Sequence, residues 1–299
     1  MGYNILIMLT LTDTAVLFGL AAAIPWGFAD VFIGRSTKKV GSMSSAILVN
    51  GLGAVAFSLV YVFFLYSSDW PYEGITYAFI GSAFFGAAQA AFFKAMRLGP
   101  VGLVSSISNT YPLVVLAIGA LVLSVSVSAQ HIAGIVCIVV GVMLASGLFE
   151  KHTHVGKGPL VAMLAALGWG GGLSFIAHAF SVMSWQNVFM IQLFTAVVVL
   201  LILTPFIKGK EKVSRRLFVA GVGLPMVWAA TILQLVGMVA FYFGLSLQPR
   251  QAAVIVAAAS CYPALTIFLG IWRLGEKLPF IPILGGVLGI AGVVVLALA

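Results

Sequence analysis

The sequence predicts an all-α integral membrane protein, with ten transmembrane helices arranged as two five-helix repeats of inverted topology around a central cavity. Three observations carry this expectation. Of 299 residues, 62% are hydrophobic and only 7% are charged, and the mean hydropathy is +1.18, whereas a soluble domain carries about a quarter of its residues as Asp, Glu, Lys and Arg. The apolar residues form long unbroken runs, not the roughly ten-residue apolar/polar alternation of a membrane β-barrel. Short patterns also recur in the two halves of the chain. A soluble globular enzyme is excluded, because too few polar groups exist to cover a water-exposed surface.

Each run approaches the ~20 helical residues that cross a hydrocarbon layer about 30 Å thick with every backbone polar group satisfied internally. The first span, 15–34, follows Asp13 and no Lys or Arg. It lacks the positive leading segment of a signal peptide and is expected to be permanent. The next two are 44–65 and 74–96, and the fourth, 101–123, contains Tyr111 and Pro112. The fifth, 129–149, is glycine-rich, and the sixth, 159–180, carries Gly-Trp-Gly-Gly-Gly at 168–172. The seventh is 188–207. The eighth, 217–247, is too long for one straight span, so it tilts or breaks near Gly223 and Pro225. The ninth, 252–272, contains Tyr262 and Pro263, and the tenth is 280–298.

Orientation follows from the basic residues. The odd connections hold Arg35, Lys38, Lys39; Lys94, Arg97; Lys151, Lys157; Lys208, Lys210, Lys212, Arg215, Arg216; and Arg273, Lys277. Lys94 is counted with the span end to which it would snorkel. All but one of the 15 basic residues thus fall on one side, with Arg250 opposite. By the positive-inside rule the odd connections are cytoplasmic, and both termini lie on the non-cytoplasmic side of a plasma or inner membrane. The net charge of +8 is spread between spans rather than gathered in a dense patch, so nucleic acid is not an expected partner.

The halves repeat. Tyr-Pro at 111–112 returns at 262–263, and at the same offset of 151 Gly134 meets Gly285 and Gly141 meets Gly292. Trp-Gly at 26–27 returns at 169–170, each Trp followed six residues later by Phe32 or Phe175. Residues 1–150 and 151–299 therefore read as two copies of a five-span unit. Five is odd, so the second copy enters from the opposite face and the pair is inverted. Such a pair can exchange which side of a central site is open.

Trp26, Tyr111, Trp169 and Tyr262 all fall near mid-membrane, at about 1.5 Å of depth per helical residue. Aromatics with a polar edge ordinarily favour the interfaces. Either these four pack helices together, with Pro112 and Pro263 kinking their spans, or they line a cavity. In the second reading Pro25, Pro112 and Pro263 serve as hinges, because irregular backbone at depth is tolerated where it faces protein or a water-filled cavity. Asn50, Gln89, Asn109, Gln192 and Gln234 also fall inside spans, and Ser105, Ser106, Ser108 and Ser260 cluster before the two Tyr-Pro pairs. These either bridge helices or orient a solute; Asn50, Gln89, Asn109, Gln192, Gln234 and Ser260 join the four aromatics as candidate substrate-binding residues.

Asp30, Lys94, His131, His178 and Arg273 all lie near expected span ends, so no ionisable group is expected at the midplane. Asp30, five residues before Arg35, is either a satisfied pair near the interface or a coupling or gating residue. His178 reads as a hydrogen-bonded packing residue. Cys137 and Cys261 match no metal or redox spacing. The chain contains no His-Glu-x-x-His, no Gly-x-Ser-x-Gly and no Gly-x-x-x-x-Gly-Lys-[Ser/Thr]. Neither enzymatic activity nor a cofactor or metal is expected. The glycines at 168–172 read as a helix-packing surface.

Pro-Trp-Gly at 25–27, Leu-Gly-Trp-Gly at 167–170, the two Tyr-Pro pairs, Leu-Gly-Glu-Lys-Leu at 274–278 and the glycine-rich fifth and tenth spans together resemble the ten-span EamA-type members of the drug/metabolite transporter (DMT) superfamily. The resemblance covers essentially the whole chain. It implies a 5+5 inverted repeat around a central cavity and alternating-access transport of small metabolites, often amino acid export. By matching position it supports Trp26, Tyr111, Trp169 and Tyr262 as cavity residues. The first half departs from the pattern, with Ser-Val-Ser-Val at 124–127 where the second has Gly-Glu-Lys-Leu, so Glu276 has no duplicate. The chain also lacks the mid-membrane Glu that the superfamily's four-span multidrug antiporters carry in their first span. The expected partners are a small-molecule substrate, the lipid bilayer and a coupling ion, proton or sodium. A sugar or nucleoside importer of the same superfamily remains an alternative, a non-transporting receptor or assembly subunit a remote one, and monomer and homodimer both stay open.

Overall fold

The computed structural model describes residues 2–122, 128–145, 157–206, 213, 215–248 and 252–297. Lys151, Lys208, Lys210, Lys212, Arg250 and the Ser-Val-Ser-Val stretch at 124–127 lie outside these. Among the described residues every regular element is helical. The chain runs α1 (Gly2–Val40), α2 (Ser42–Val60) with a π turn at Tyr61–Leu65, and α3 (Tyr72–Leu98). Then come α4 (Val101–Ser108), α5 (Tyr111–Val122), α6 (Ala129–Ala145), α7 (Gly158–Val182), and α8 (Trp185–Leu203) with a 3-10 turn at Thr204–Phe206. The remainder is α9 (Arg215–Val222), α10 (Pro225–Leu247), α11 (Ala252–Ala259), α12 (Tyr262–Leu274) and α13 (Phe280–Ala297). Among the described residues six stretches are long and apolar enough to cross a membrane: Thr14–Val40, Ser42–Leu65, Tyr72–Leu98, Gly158–Val182, Trp185–Phe206 and Pro225–Leu247. The other apolar helices are shorter.

Leu17, Phe64, Leu164 and Ile202 are each more than half exposed, and such residues recur along the outward faces of the long helices. A water-soluble monomer rarely shows so much contiguous apolar surface; here it is the surface that lipid covers.

Two expectations about breaks have different outcomes. The expected eighth span does break, after Val222, and Pro225 begins α10. Proline is favoured at a first helical position because its missing N–H had no intrahelical partner there. Pro112 and Pro263 do not kink continuous helices. The chain leaves helical hydrogen bonding at Asn109–Thr110 and at Ser260–Cys261, and each proline is the second residue of a fresh helix, α5 or α12. Pro25, by contrast, sits inside the uninterrupted α1.

The helices pack through small residues. A Cβ on Gly172 of α7 would lie 2.6 Å from the Gly81 carbonyl oxygen of α3, so the glycines at 168–172 do form a packing surface. Gly168 faces Ala88 and Gly74 faces Met183, which makes α3 and α7 antiparallel. On the other side of the protein α1 and α10 pair the same way, Gly244 against Ala15 and Gly237 against Trp26. At the far end Gly141 faces Gly285 and Gly289, while Gly292 faces Gly134 and Ile138. Advance along α6 is retreat along α13, so these two are also antiparallel. Their contacts map onto themselves when every number is shifted by 151, as at an interface with a local two-fold axis perpendicular to both helices.

Candidate functional site: an aromatic cavity between two broken helices

The repeated motifs meet in space, each with its counterpart from the other half. The Trp26 ring of α1 lies 5.6 Å from that of Tyr262, the first residue of α12. The Trp169 ring of α7 lies 6.3 Å from that of Tyr111, the first residue of α5. Both contacts are near-perpendicular, the edge-to-face arrangement that the ring quadrupoles favour. Each tryptophan also touches a phenylalanine of the antiparallel neighbour, Trp26 with Phe241 at 5.2 Å and Trp169 with Phe92 at 4.9 Å.

The glycine after each tryptophan has a matching task. A Cβ on Gly170 would come within 2.7 Å of the Tyr111 carbonyl oxygen, and one on Gly27 would come within 2.8 Å of a Leu265 methyl carbon. Only hydrogen at these positions lets α5 approach α7 and α12 approach α1. The Trp-Gly and Tyr-Pro pairs are thus two sides of one repeated joint.

Between the joints is a cavity. All four aromatics line it, with Phe85, Gln89 and Phe92 from α3, Gln234, Met238 and Phe241 from α10, and Asp30 and Leu173. A second, smaller cavity shares Gln89, Gln234 and Met238 with it and reaches Asn50 and Gln192. Phe85, Phe92, Leu173, Met238 and Phe241 escaped the reading of the sequence. A signal for four of them was present: Phe85, Gln89 and Phe92 fall at the i, i+4, i+7 spacing of one helix face, as do Gln234, Met238 and Phe241.

The polar candidates divide. Gln89 and Gln234 line both cavities. Asn50 reaches only the second, and its Nδ2 donates to the Ala46 carbonyl at 2.9 Å. Gln192 also lines the second, with Oε1 accepting from the Tyr242 hydroxyl. Asn109 and Ser260 line neither. Asn109 Nδ2 instead donates to the Ser260 carbonyl at 2.5 Å, tying one helix break to the other. The two residues are themselves 151 positions apart, at equivalent places in the repeated sequence.

Asp30 requires a correction. The sequence places it near a span end, five residues before Arg35, as an interfacial pair or a coupling residue, but α1 continues to Val40 and buries Asp30 on the cavity wall. The apparent end near residue 34 was only the onset of polar sequence, in residues compatible with helix. Asp30 Oδ2 accepts from Ser105 Oγ at 2.5 Å and from Thr266 Oγ1 at 3.3 Å. Arg35 turns away and donates to the Arg273 carbonyl at 3.0 Å. A charge-capable group therefore does sit deep in the protein. His178 contacts Glu73 at 2.9 Å in an exposed position and lies against the Tyr77 ring at 4.2 Å.

Glu276 closes one end of the assembly. Its carboxylate accepts from the Val101 N–H at 2.6 Å and from the Gly102 N–H at 3.3 Å, so it caps the start of α4. These N–H groups have no partner within the helix, and a carboxylate there also complements the helix dipole. Gly275, with φ of 66°, supplies the left-handed turn that ends α12 and aims Glu276 across the halves.

Paired antiparallel apolar helices, two discontinuous helices and a central cavity define a membrane transporter class. A family model of the EamA-like transporter family matches residues 13–147 and again 156–298. The chain belongs to that family, and so to the DMT superfamily, as a multi-pass membrane transporter. Members of this family are transporters rather than enzymes. No functionally curated protein matches the sequence. A solved crystal structure 18% identical in sequence superposes over 94% of each chain with a TM-score of 0.56, a likeness of fold alone.

Proposed function

We propose that the protein is a secondary transporter that moves a small polar or amphipathic metabolite by alternating access. Ten spans form two inverted five-helix units, 1–150 and 151–299, with both termini on the non-cytoplasmic side of the plasma membrane. The observation that carries this reading is the pair of equivalent joints, Trp26 with Tyr262 and Trp169 with Tyr111, built across the halves around one cavity. The local two-fold contacts of α6 with α13 support the inversion, and the one-sided basic residues support the orientation. In this reading the aromatics enclose the solute, Gln89 and Gln234 orient it, and the breaks before Tyr111 and Tyr262 let the spans rock. Asp30 is the group through which a coupling proton or sodium ion would act. Amino acids or related metabolites, exported, are the proposed substrates.

Ligand-dependent thermal stabilisation of the purified protein tests this, using amino acids, sugars, nucleosides and lipophilic cations. A ligand at a hundred times its Kd stabilises the folded state by about 2.7 kcal/mol. Stabilisation by amino acids that is lost in Tyr111→Ala and Trp169→Ala, both still expressed in the membrane, supports the site and the substrate class. Stabilisation only by sugars or nucleosides replaces the class. Unchanged binding and proteoliposome flux in both variants would overturn the site.

A further inference from the structure

We propose that the cavity takes a small organic cation, an ammonium group on an apolar or aromatic body, with the Asp30 carboxylate facing the charge. This rests on the transporter reading and narrows its substrate. Four observations converge on it. Asp30 is 3% exposed yet lies on the cavity wall. Among the described residues no Lys, Arg or His lines either cavity, and none forms an ion pair with Asp30. The rest of the wall is mostly ring and thioether: Trp26, Trp169, Tyr111, Tyr262, Phe241 and Met238. Finally, the position equivalent to Asp30 in the second repeat, at the 143 offset of the two tryptophans, is Leu173, which lines the same cavity. The charge is therefore single and off-axis.

The physical consequence is a site with a definite sign. A buried carboxylate without a cation carries a desolvation cost that two hydroxyl donors on one oxygen offset only in part. The helix ends at the breaks do not reverse this sign. Each break sets a helix C-terminus, Ser108 or Ala259, close to a helix N-terminus, Tyr111 or Tyr262, so the partial charges of the two ends oppose one another. An anion would meet Asp30 with no counter-charge. A zwitterion would satisfy Asp30 with its ammonium but leave its own carboxylate with no cation to face, only the neutral Gln89 and Gln234 amides. An organic cation satisfies both parts of the wall, because ring faces attract cations as well as burying apolar surface.

The test uses four compounds that share a phenyl ring and a short chain but differ at the head: 2-phenylethylamine, 2-phenylethanol, 3-phenylpropionate and phenylalanine. Binding to the purified full-length protein is followed by tryptophan fluorescence and thermal stability. The amine should bind most tightly, by roughly tenfold or more over the alcohol, as a charge-assisted contact implies. Asp30→Asn should abolish that preference and Asp30→Glu should restore part of it. Equal or tighter binding of the alcohol, the propionate or phenylalanine by the unmodified protein overturns the proposal, without reliance on any variant. So does an unchanged amine preference in folded Asp30→Asn, or no binding of the amine. The same compounds in proteoliposome flux separate the two levels of the account. Flux of phenylalanine without amine preference removes the substrate class and leaves the transporter standing. Amine-selective binding with no flux of any compound keeps the cation site and counts against the transporter reading.

Discussion

Replacing Gly237 by alanine should be destabilising although it places a better helix former in the middle of α10. A Cβ there would lie 2.5 Å from Trp26 Cδ1 and 3.1 Å from Cε2. The indole cannot swing clear cheaply, because Phe241 and Tyr262 hold it at 5.2 and 5.6 Å. Overpacking of this kind costs about 1–3 kcal/mol, set against about 1 kcal/mol gained in helix propensity. Gly171→Ala in α7 is the matched control, since its Cβ would meet nothing nearer than Phe84 Cδ1 at 3.8 Å. The propensity gain is common to both variants and cancels in their difference, leaving Gly237→Ala about 1–3 kcal/mol the less stable. On the scale of 150–250-residue domains that is roughly 2–4 °C in Tm per kcal/mol, readable by a thermal scan of detergent-purified protein. Gly237→Ala should also push Trp26 into the cavity and weaken ligand binding, while Gly171→Ala leaves binding unchanged. Equal melting temperatures and equal binding in the two variants would refute the placement of Trp26 against α10.

Three further outcomes follow from the same geometry. Asn109→Leu removes the donor to the Ser260 carbonyl, leaving a buried acceptor unpaired at a cost of about 1–3 kcal/mol; equilibrium unfolding that shows no loss would contradict the break-to-break tie. Glu276→Ala uncaps α4 and should cost about 0.5–2 kcal/mol, with Glu276→Gln retaining part of the stability because one amide oxygen can still accept; identical stabilities of the two variants would contradict the cap. Tyr242→Phe removes the hydroxyl that donates to Gln192 and should lower stability by about 1 kcal/mol in the same scans, an unchanged Tm counting against that contact.

The helical membrane architecture, the break before Pro225 and the doubled Trp-Gly and Tyr-Pro pairs were legible because they follow from apolar run length, proline chemistry and repetition. The breaks at Asn109–Thr110 and Ser260–Cys261 were not. Proline inside a run looks the same whether it kinks a helix or opens a new one, and only the hydrogen bonding around it decides. Asp30 was misplaced because polar residues after 34 suggested a span end, whereas α1 remains helical to Val40. Asn109 and Glu276 were visible as polar residues in notable motifs. Their partners, Ser260 and the Val101 and Gly102 amides, lie in the opposite half of the chain, where local pattern carries no information. The cavity's apolar wall was harder to read for another reason: in a chain this hydrophobic, only the helical spacing from Gln89 and Gln234 separates Phe85 and Phe241 from residues that face lipid.

Alternating access requires that one cavity be reached in turn from both membrane faces. Leu173→Cys, on a background with Cys137→Ser and Cys261→Ser, places a single thiol on the cavity wall. In oriented proteoliposomes a membrane-impermeant thiol reagent is applied to one face at a time, with and without a bound ligand. Labelling is expected from each face, in proportions that the ligand shifts. Labelling confined to one face under every condition would contradict it.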